Sequence, residues 1–447
     1  MSALPLAATS GDHLLAAVLF DLAIVTGCAL LLGIAARRVG QAVVIGEIVA
    51  GLMLGPSLLG LLPGDLPALL FPESARPMLT VVAQIALVLF MFGVGFELDL
   101  DRLRKAGRST RRTVAGSLIV PAAAGVALAP ALWAAHPAPG EAVGFAHFAA
   151  FIAIVLGVTA FPVLARLIAE SRLRHDRLGP LALMTAASTD LIAWIALAAV
   201  IGTVAPGAAS PALQAGGLVA FLVVLVLLVR PLLRRLLYGG WCSKHGPLGA
   251  TLLILTMLAL AAAVTTRLGL HPVFGAFALG VACPRDGACK RVHAALTDGE
   301  TDRPIGEAAR LLSTAGLVLV PTYFIVTGLE IDITAIGTTG LAELVAVLVV
   351  GTLAKVAGVW WATRQSGEGG RESLALGLLL NTKGLTEIVA LDIGRKAGVI
   401  DDQLFTVLVL FALVSTAMVM PLLHALLWTR GAPARARIEA RHLAGRS

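Results

Sequence analysis

Asp190 stands in the run from Leu181 to Gly202, where nearly every other position is apolar or small. A carboxylate near the middle of a membrane-spanning helix costs about 3 kcal/mol on insertion scales, so a charge at that depth faces a cavity or a partner and marks an ion or proton path. Lys355 and Lys383 are similarly placed, and Val158-Thr159, Thr189, Asn381, Thr382 and Glu387 bring further polar groups into apolar runs. A hard monovalent cation seeks oxygen ligands. The Asp190 carboxylate, the hydroxyls of Thr159 and Thr189, and a carbonyl freed by an unwound turn, with Val158 as the candidate, can supply them. A carboxylate also takes a proton, and a site that holds one ion or the other exchanges them. Two roles are open for Lys355: a counter-ion that Asp190 releases when a cation arrives, or a constant charge that supports the fold. Lys383 is expected to neutralise the negative ends of interrupted helices, with Glu387 pairing to it at i,i+4. Asp21 and Glu47 read as gates or links between helices, and Asp392 and Asp401 as solvated groups near helix ends.

The elements that must position these groups are membrane helices. Of 447 residues, 58% are hydrophobic and 14% charged, where a soluble protein carries about 25% charged. Mean hydropathy is +0.91. Apolar runs recur throughout, giving about thirteen spans by the ~20-residue criterion. The fifth runs from Phe148 to Ile168, the sixth from Leu178 to Ile201, the eleventh from Leu341 to Trp361 and the twelfth from Leu374 to Ile393. The ninth, Pro272 to Cys283, is short and rich in Gly and Ala. The expected fold is thus all-α and polytopic. Its membrane domain covers residues 1–428, and residues 429–447 form a short cytoplasmic tail. The fifth span is interrupted at Val158 to Pro162, because Pro removes a helical hydrogen bond, and the twelfth at Asn381-Thr382-Lys383-Gly384. Broken helices in corresponding positions of two halves point to a transporter's midplane site.

The net charge is +7. Basic residues gather on one side: Arg37, Arg38, Arg102 to Arg112, Arg172 to Arg177, Arg230 to Lys244, Arg285 to Arg310, Arg364 and Arg371, with the tail arginines. The opposite loops hold Arg76, Arg267, Arg395 and Lys396. The positive-inside rule then places the N-terminus outside and the C-terminus in the cytoplasm. That bias accounts for the charge without nucleic acid. The first span lacks a preceding Lys or Arg and contains Asp21, so a retained helix is expected rather than a cleaved signal. Cys28 reads as a packing residue. Cys242, Cys283 and Cys289 fall in or beside cytoplasmic loops, where disulfides are not expected, and Cys283, Cys289 and His293 fit no standard zinc spacing. No phosphate-binding loop implies ATP, and no H-E-x-x-H or G-x-S-x-G run implies an enzyme. No cofactor is expected.

Four blocks carry a family resemblance. They are Ile45-Gly46-Glu47-Ile48 with Leu54-Gly55-Pro56-Ser57; Thr159-Ala160-Phe161-Pro162-Val163-Leu164-Ala165 with Thr189-Asp190 and Trp194; His271-Pro272-Val273-Phe274-Gly275-Ala276-Phe277 with Pro284-Arg285; and Asn381-Thr382-Lys383-Gly384-Leu385-Thr386-Glu387-Ile388-Val389. In these the chain resembles the cation:proton antiporter superfamily, in its monovalent branch of plant cation/proton exchangers and bacterial potassium-efflux relatives. The resemblance implies inverted repeats with crossed, discontinuous fifth and twelfth helices. It also implies a homodimer, and elevator movement of a core (around 113–201 and 341–428) against a scaffold (around 14–96 and 248–329). Asp190 matches the family's ion-binding aspartate, and Lys355, in Ala354-Lys355-Val356-Ala357-Gly358, resembles a core lysine. Thr189 departs from the Asn or Asp common in relatives. A single titrating carboxylate favours electroneutral exchange of K+ or Na+ for H+, with a cation channel on the same scaffold as the alternative. The long cytosolic C-terminal region of plant relatives is absent from this sequence, so regulation through it is not expected.

Overall fold

The computed structural model describes residues 10–64, 66–98, 107–140, 143–169, 178–204, 211–238, 240–268, 270–284, 304–329, 331 and 333–428. Among them there is no strand. The helices are α1 (Ser10–Arg38), α2 (Val43–Leu54), the short α3 (Leu66–Leu70), α4 (Arg76–Glu97), α5 (Arg108–Ala135), α6 (Phe145–Gly157), α7 (Phe161–Ala169) and α8 (Leu178–Val204). There follow α9 (Pro211–Val224), α10 (Arg230–Tyr238), α11 (Gly240–Arg267), α12 (Pro272–Ala282), α13 (Pro304–Gly328), α14 (Gly337–Arg364), α15 (Gly370–Leu380), α16 (Leu385–Lys396) and α17 (Asp402–Trp428).

Among the described residues, eleven stretches are long and apolar enough to cross a membrane, counting α6 with α7, and α9 with α10, as one each, and α2 with the turn that follows it to Leu61. Two expected segments are not among them. Pro272–Ala282 is a short apolar helix, and the twelfth segment is divided into α15 and α16 by its polar break. The exposed faces of these helices are greasy: Leu15, Leu19, Phe20, Leu30 and Leu31 line the outside of α1, and Leu227 and Leu228 that of the α9–α10 span. Such faces suit lipid, which leaves the backbone to satisfy itself within helices.

The helices pack as two groups. In one, α4 lies against α12 and α13, with α1, α2 and α11 around them. In the other, α5 lies against α6 and α14, with α8, α15, α16 and α17 closing round. Between the groups the main contacts are α8 with its chain neighbour α9, and α2 with α17. One hydrogen bond across this division runs from Gln41 Nε2 to the Ala417 carbonyl, at 3.0 Å. An apolar seam, where Ile48, Leu52 and Phe324 face Ile388 and Val409, fills more of it.

Small residues set the close crossings within each group. At the α5–α14 crossing, a Cβ on Gly116 would collide with the Gly358 carbonyl, and one on Gly358 with that of Gly116. Without a hydrophobic force between helices in lipid, such backbone approach is a main source of association. Replacing Gly116 by Leu is expected to separate α5 from α14 and destabilise the protein by about 1–3 kcal/mol. Thermal unfolding of the detergent-purified protein checks this, and an unchanged midpoint would contradict the packing described.

Candidate functional site

The two interrupted segments meet at their breaks. Helix α6 stops at Gly157, Val158 is extended (φ −68°, ψ 150°), and α7 starts at Phe161 with Pro162 in its first turn, where a missing N–H costs nothing. Helix α15 stops at Leu380, and α16 starts after Gly384 at φ +151°, ψ −136°, a region open almost only to glycine. The Ala160 N–H donates to the Thr382 carbonyl at 3.0 Å, and the Thr159 hydroxyl to the Leu380 carbonyl at 2.7 Å. The Lys383 N–H donates to Thr416 Oγ1 at 2.8 Å. Each break thus satisfies backbone groups of the other, as non-helical backbone at membrane depth requires.

The C-terminal end of α6 is where the lysines go. Lys355 Nζ lies 2.5 Å from the Gly157 carbonyl, 2.8 Å from the Ser117 carbonyl, 3.3 Å from Ser117 Oγ and 3.2 Å from Thr159 Oγ1. Lys383 Nζ lies 2.7 Å from the Val155 carbonyl, with those of Val158 and Leu156 at 3.3 and 3.4 Å. It also sits 5.0 Å above the Phe411 ring. A helix C-terminus carries unsatisfied carbonyls and about half a negative charge, and two ammonium groups answer both. Glu387 follows as expected, with Oε1 3.2 Å from Lys383 Nζ.

Asp190 differs from all of these. It is fully buried, and neither carboxylate oxygen closes a hydrogen bond among the described residues. The Trp194 indole, the Thr386 hydroxyl and the Phe161 N–H face it; the last is a free donor at the start of α7. Trp194 also packs on Phe274 and Phe277 of α12, with ring centroids 5.6 and 6.1 Å apart, so an aromatic cluster separates the carboxylate from the other helix group.

The structure therefore divides the residues expected at the site. Asp190 stands with Thr386, which the sequence offered only inside a longer block. Thr189 is buried but donates to the Ala186 carbonyl of its own helix, at 3.0 Å. Thr159 and the Val158 carbonyl are engaged by Leu380, Lys355 and Lys383. Thr382 donates to the Leu379 carbonyl at 2.7 Å, and Asn381 Nδ2 reaches Thr352 Oγ1 at 3.4 Å. Lys355 bonds to backbone and hydroxyls rather than to Asp190. Asp21 is buried without a hydrogen-bond partner on either oxygen. Cys289 and His293 lie outside the described residues, as do the side chain of Cys242 and the tail from residue 429.

One expectation of a solvated acid is corrected, and a second acid has an unforeseen partner. Asp392 is 3% exposed and pairs with Lys396 at 2.8 Å and Arg395 at 3.3 Å, one turn away on α16. Asp401, just before α17, accepts from His136 Nδ1 at 2.9 Å, while His136 Nε2 meets Glu343 of α14 at 2.8 Å. One buried imidazole at the end of α5 thereby ties α14 and α17 together. The Asp401 hydrogen bond, with Glu343 assisting against burial, raises the His136 pKa from 6.5 to about 9.

Long, interrupted helices closing on an unpartnered buried carboxylate define a polytopic secondary-transporter fold. The transmembrane region of the sodium/hydrogen exchanger family matches residues 24–428, and the chain belongs to that family. It is 33% identical over 409 residues to the Na(+)/H(+) antiporter NhaS4 of Synechocystis sp., covering 91% of this chain and 96% of that one. It is 35% identical over 403 residues to K(+)/H(+) antiporter 1 of Saccharomyces cerevisiae, and 32% over 403 residues to cation/H(+) antiporter 20 of Arabidopsis thaliana. These matches cover 86% of this chain in each case, but 43% and 45% of the relatives, so the chain spans under half of those longer proteins. The fold is that of the sodium proton antiporter MjNhaP1 from Methanocaldococcus jannaschii, with a TM-score of 0.63 at 15% identity, covering 93% of this chain and 97% of that one.

Two outcomes follow from the site's surroundings. Lys355→Met leaves the Ser117 and Gly157 carbonyls unanswered in a buried place, at about 1–3 kcal/mol for each orphaned group; a lowered unfolding midpoint is expected, and an unchanged one refutes the capping role. Because folding raises the His136 pKa, its stabilising contribution is complete below about pH 6.5 and is lost as the pH rises through about 9. The unfolding midpoint of the wild type should therefore fall across that window, and the slope should flatten in His136→Gln.

Proposed function

We propose that this protein is a secondary active antiporter that exchanges a monovalent cation, Na+ or K+, for H+. The observation that carries the proposal is Asp190: a buried carboxylate with no hydrogen-bond partner, at the meeting of two interrupted helices. A carboxylate holds either a proton or a metal cation, and competition for one group couples the two flows. The names of the relatives, Na(+)/H(+) and K(+)/H(+) antiporters, agree with this chemistry.

Exchange is one for one and electroneutral. Thr189 next to Asp190 carries no charge, and Lys355 and Lys383 are held by carbonyls in fixed positions. The moving unit is the core of α5–α8 and α14–α17, carried past a scaffold of α1–α4 and α11–α13. The thin contact between the two helix groups supports that division. The N-terminus lies outside and the C-terminus in the cytoplasm, in keeping with the distribution of basic residues. The family resemblance suggests a homodimer.

The test is transport by purified protein in liposomes that enclose a pH-sensitive dye. Addition of Na+, K+ or Li+ separately is expected to dissipate a preset pH gradient, at a rate unchanged when the membrane potential is clamped. Asp190→Asn should reduce this to background while keeping the wild-type unfolding profile. Full exchange in that variant removes the mechanism. Cation flux without proton movement makes the protein a channel, and a rate that follows the membrane potential overturns the one-for-one stoichiometry.

A further inference from the structure

Glu387 has no ligand role in the exchange just proposed. It lies in the first turn of α16, fully buried, and its one near partner is Lys383, 3.2 Å from Oε1. That lysine is already committed to the α6 carbonyls, the nearest being Val155 at 2.7 Å. An ammonium has three hydrogens to give. Glu387 therefore shares one at best, and neither of its oxygens makes a hydrogen bond among the described residues. A buried carboxylate left so poorly served is costly, unless a further partner joins it.

The surroundings indicate what that partner is. The preceding residue, Thr386, is buried, makes no hydrogen bond through its hydroxyl among the described residues, and faces Asp190. The start of α16 packs against α8, which brings Glu387 into the same buried region as Asp190. Three oxygen-bearing side chains, from α8 and the first turn of α16, thus lie in one buried region without hydrogen-bond partners among the described residues. The Thr159 hydroxyl and the Val158 carbonyl, expected to serve the cation, are contacted by Lys355 and Lys383. An all-oxygen set that includes carboxylate suits a hard cation.

Resting on that exchange function, we propose that Glu387 is a second cation ligand. The cation sits between the Asp190 and Glu387 carboxylates, with the Thr386 hydroxyl as a third protein oxygen. Lys383 gives up its contact with Glu387 as the cation arrives and keeps its contacts with the α6 carbonyls. A second carboxylate raises the field strength at the site, which favours the smaller of two alkali cations. Glu387 is thereby a determinant of affinity and of the preference for Na+ over K+.

The test measures initial exchange rates against Na+ and K+ concentration in liposomes, for the wild type, Glu387→Gln and Glu387→Asp, with unfolding midpoints recorded alongside. Gln keeps an acceptor for Lys383 but removes the charge. Asp keeps the charge and withdraws it by one methylene. The expected result is a KM for Na+ raised about tenfold in Glu387→Gln, the loss of one charged contact, with a smaller rise in Glu387→Asp. The rise should exceed any fall in maximal rate, and the preference for Na+ over K+ should narrow. A merely structural ion pair lowers the unfolding midpoint in both variants and leaves KM and selectivity unmoved, which overturns the proposal. If one variant does not fold, the other decides on the same criteria. A wild type that moves no protons with cations refutes the exchange function instead, so the two failures are distinguishable.

Discussion

The end of one broken helix, with its carbonyls turned into the membrane interior, is the constraint around which this protein is arranged. Helix α6 stops at Gly157, and the carbonyls of residues 155–158 have no helical partner there. Lipid offers no hydrogen bonds, and each unsatisfied group costs several kcal/mol. Lys355 from α14 and Lys383 from the second break answer them, and α15 and α17 supply the remaining acceptors and donors through Leu380 and Thr416. Each lysine in turn needs those carbonyls, since an ammonium inside the membrane is equally costly alone. The break and the buried cations are therefore one interaction seen from two sides.

Why tolerate such an arrangement? The same interruption frees the other half-helix. The N–H of Phe161, at the start of α7, faces Asp190 with the positive end of a helix behind it. One break thus builds a region held by cations and, a few residues on, a region where a carboxylate stands uncommitted. Around this rigid assembly the packing changes character. Within each helix group, glycines allow backbones to touch. Between the groups, the Trp194 cluster and the Ile48 to Ile388 seam are mainly apolar side chain on side chain, with the Gln41 to Ala417 hydrogen bond as a polar link across them. A surface of that kind can slide, which suits the movement proposed.

Much of this was visible in the sequence, and for a definite reason. Charge within an apolar run is conspicuous, so Asp190, Lys355, Lys383 and Glu387 could be named from depth alone, and Pro162 and the Asn381 to Gly384 run showed where helices stop. What was not visible depends on backbone acceptors, which leave no trace in residue types. The carbonyls of Ser117 and Gly157, which hold Lys355, belong to unremarked positions. The same holds for Thr159, whose hydroxyl donates to the Leu380 carbonyl at 2.7 Å, a partner that no residue type announces. Asp392 was misjudged because nearness to a helix end was taken for contact with water, whereas it is buried beside Arg395 and Lys396 one turn on. Asp401 keeps part of its surface exposed, but its partner, His136, lies far along the chain and leaves no local signal.

The buried charges bear on the one-for-one stoichiometry proposed. Two acids, Asp190 and Glu387, and two lysines, Lys355 and Lys383, are buried together, so the group sums to zero when all four are ionised. A proton on Asp190 brings it to +1, and so does a monovalent cation beside it. The two loaded forms are then electrically alike, whichever way the site faces. This equality needs the lysines to keep their protons throughout. Four oxygens lie within reach of Lys355 Nζ, more than the three hydrogens of an ammonium can serve at once. Moving Glu387 from a lysine to a cation leaves the sum untouched, because no proton changes hands. The carbonyls that close the end of α6 thus do more than hold a helix in place: they hold both lysines beside the two acids whose partners change in the exchange proposed.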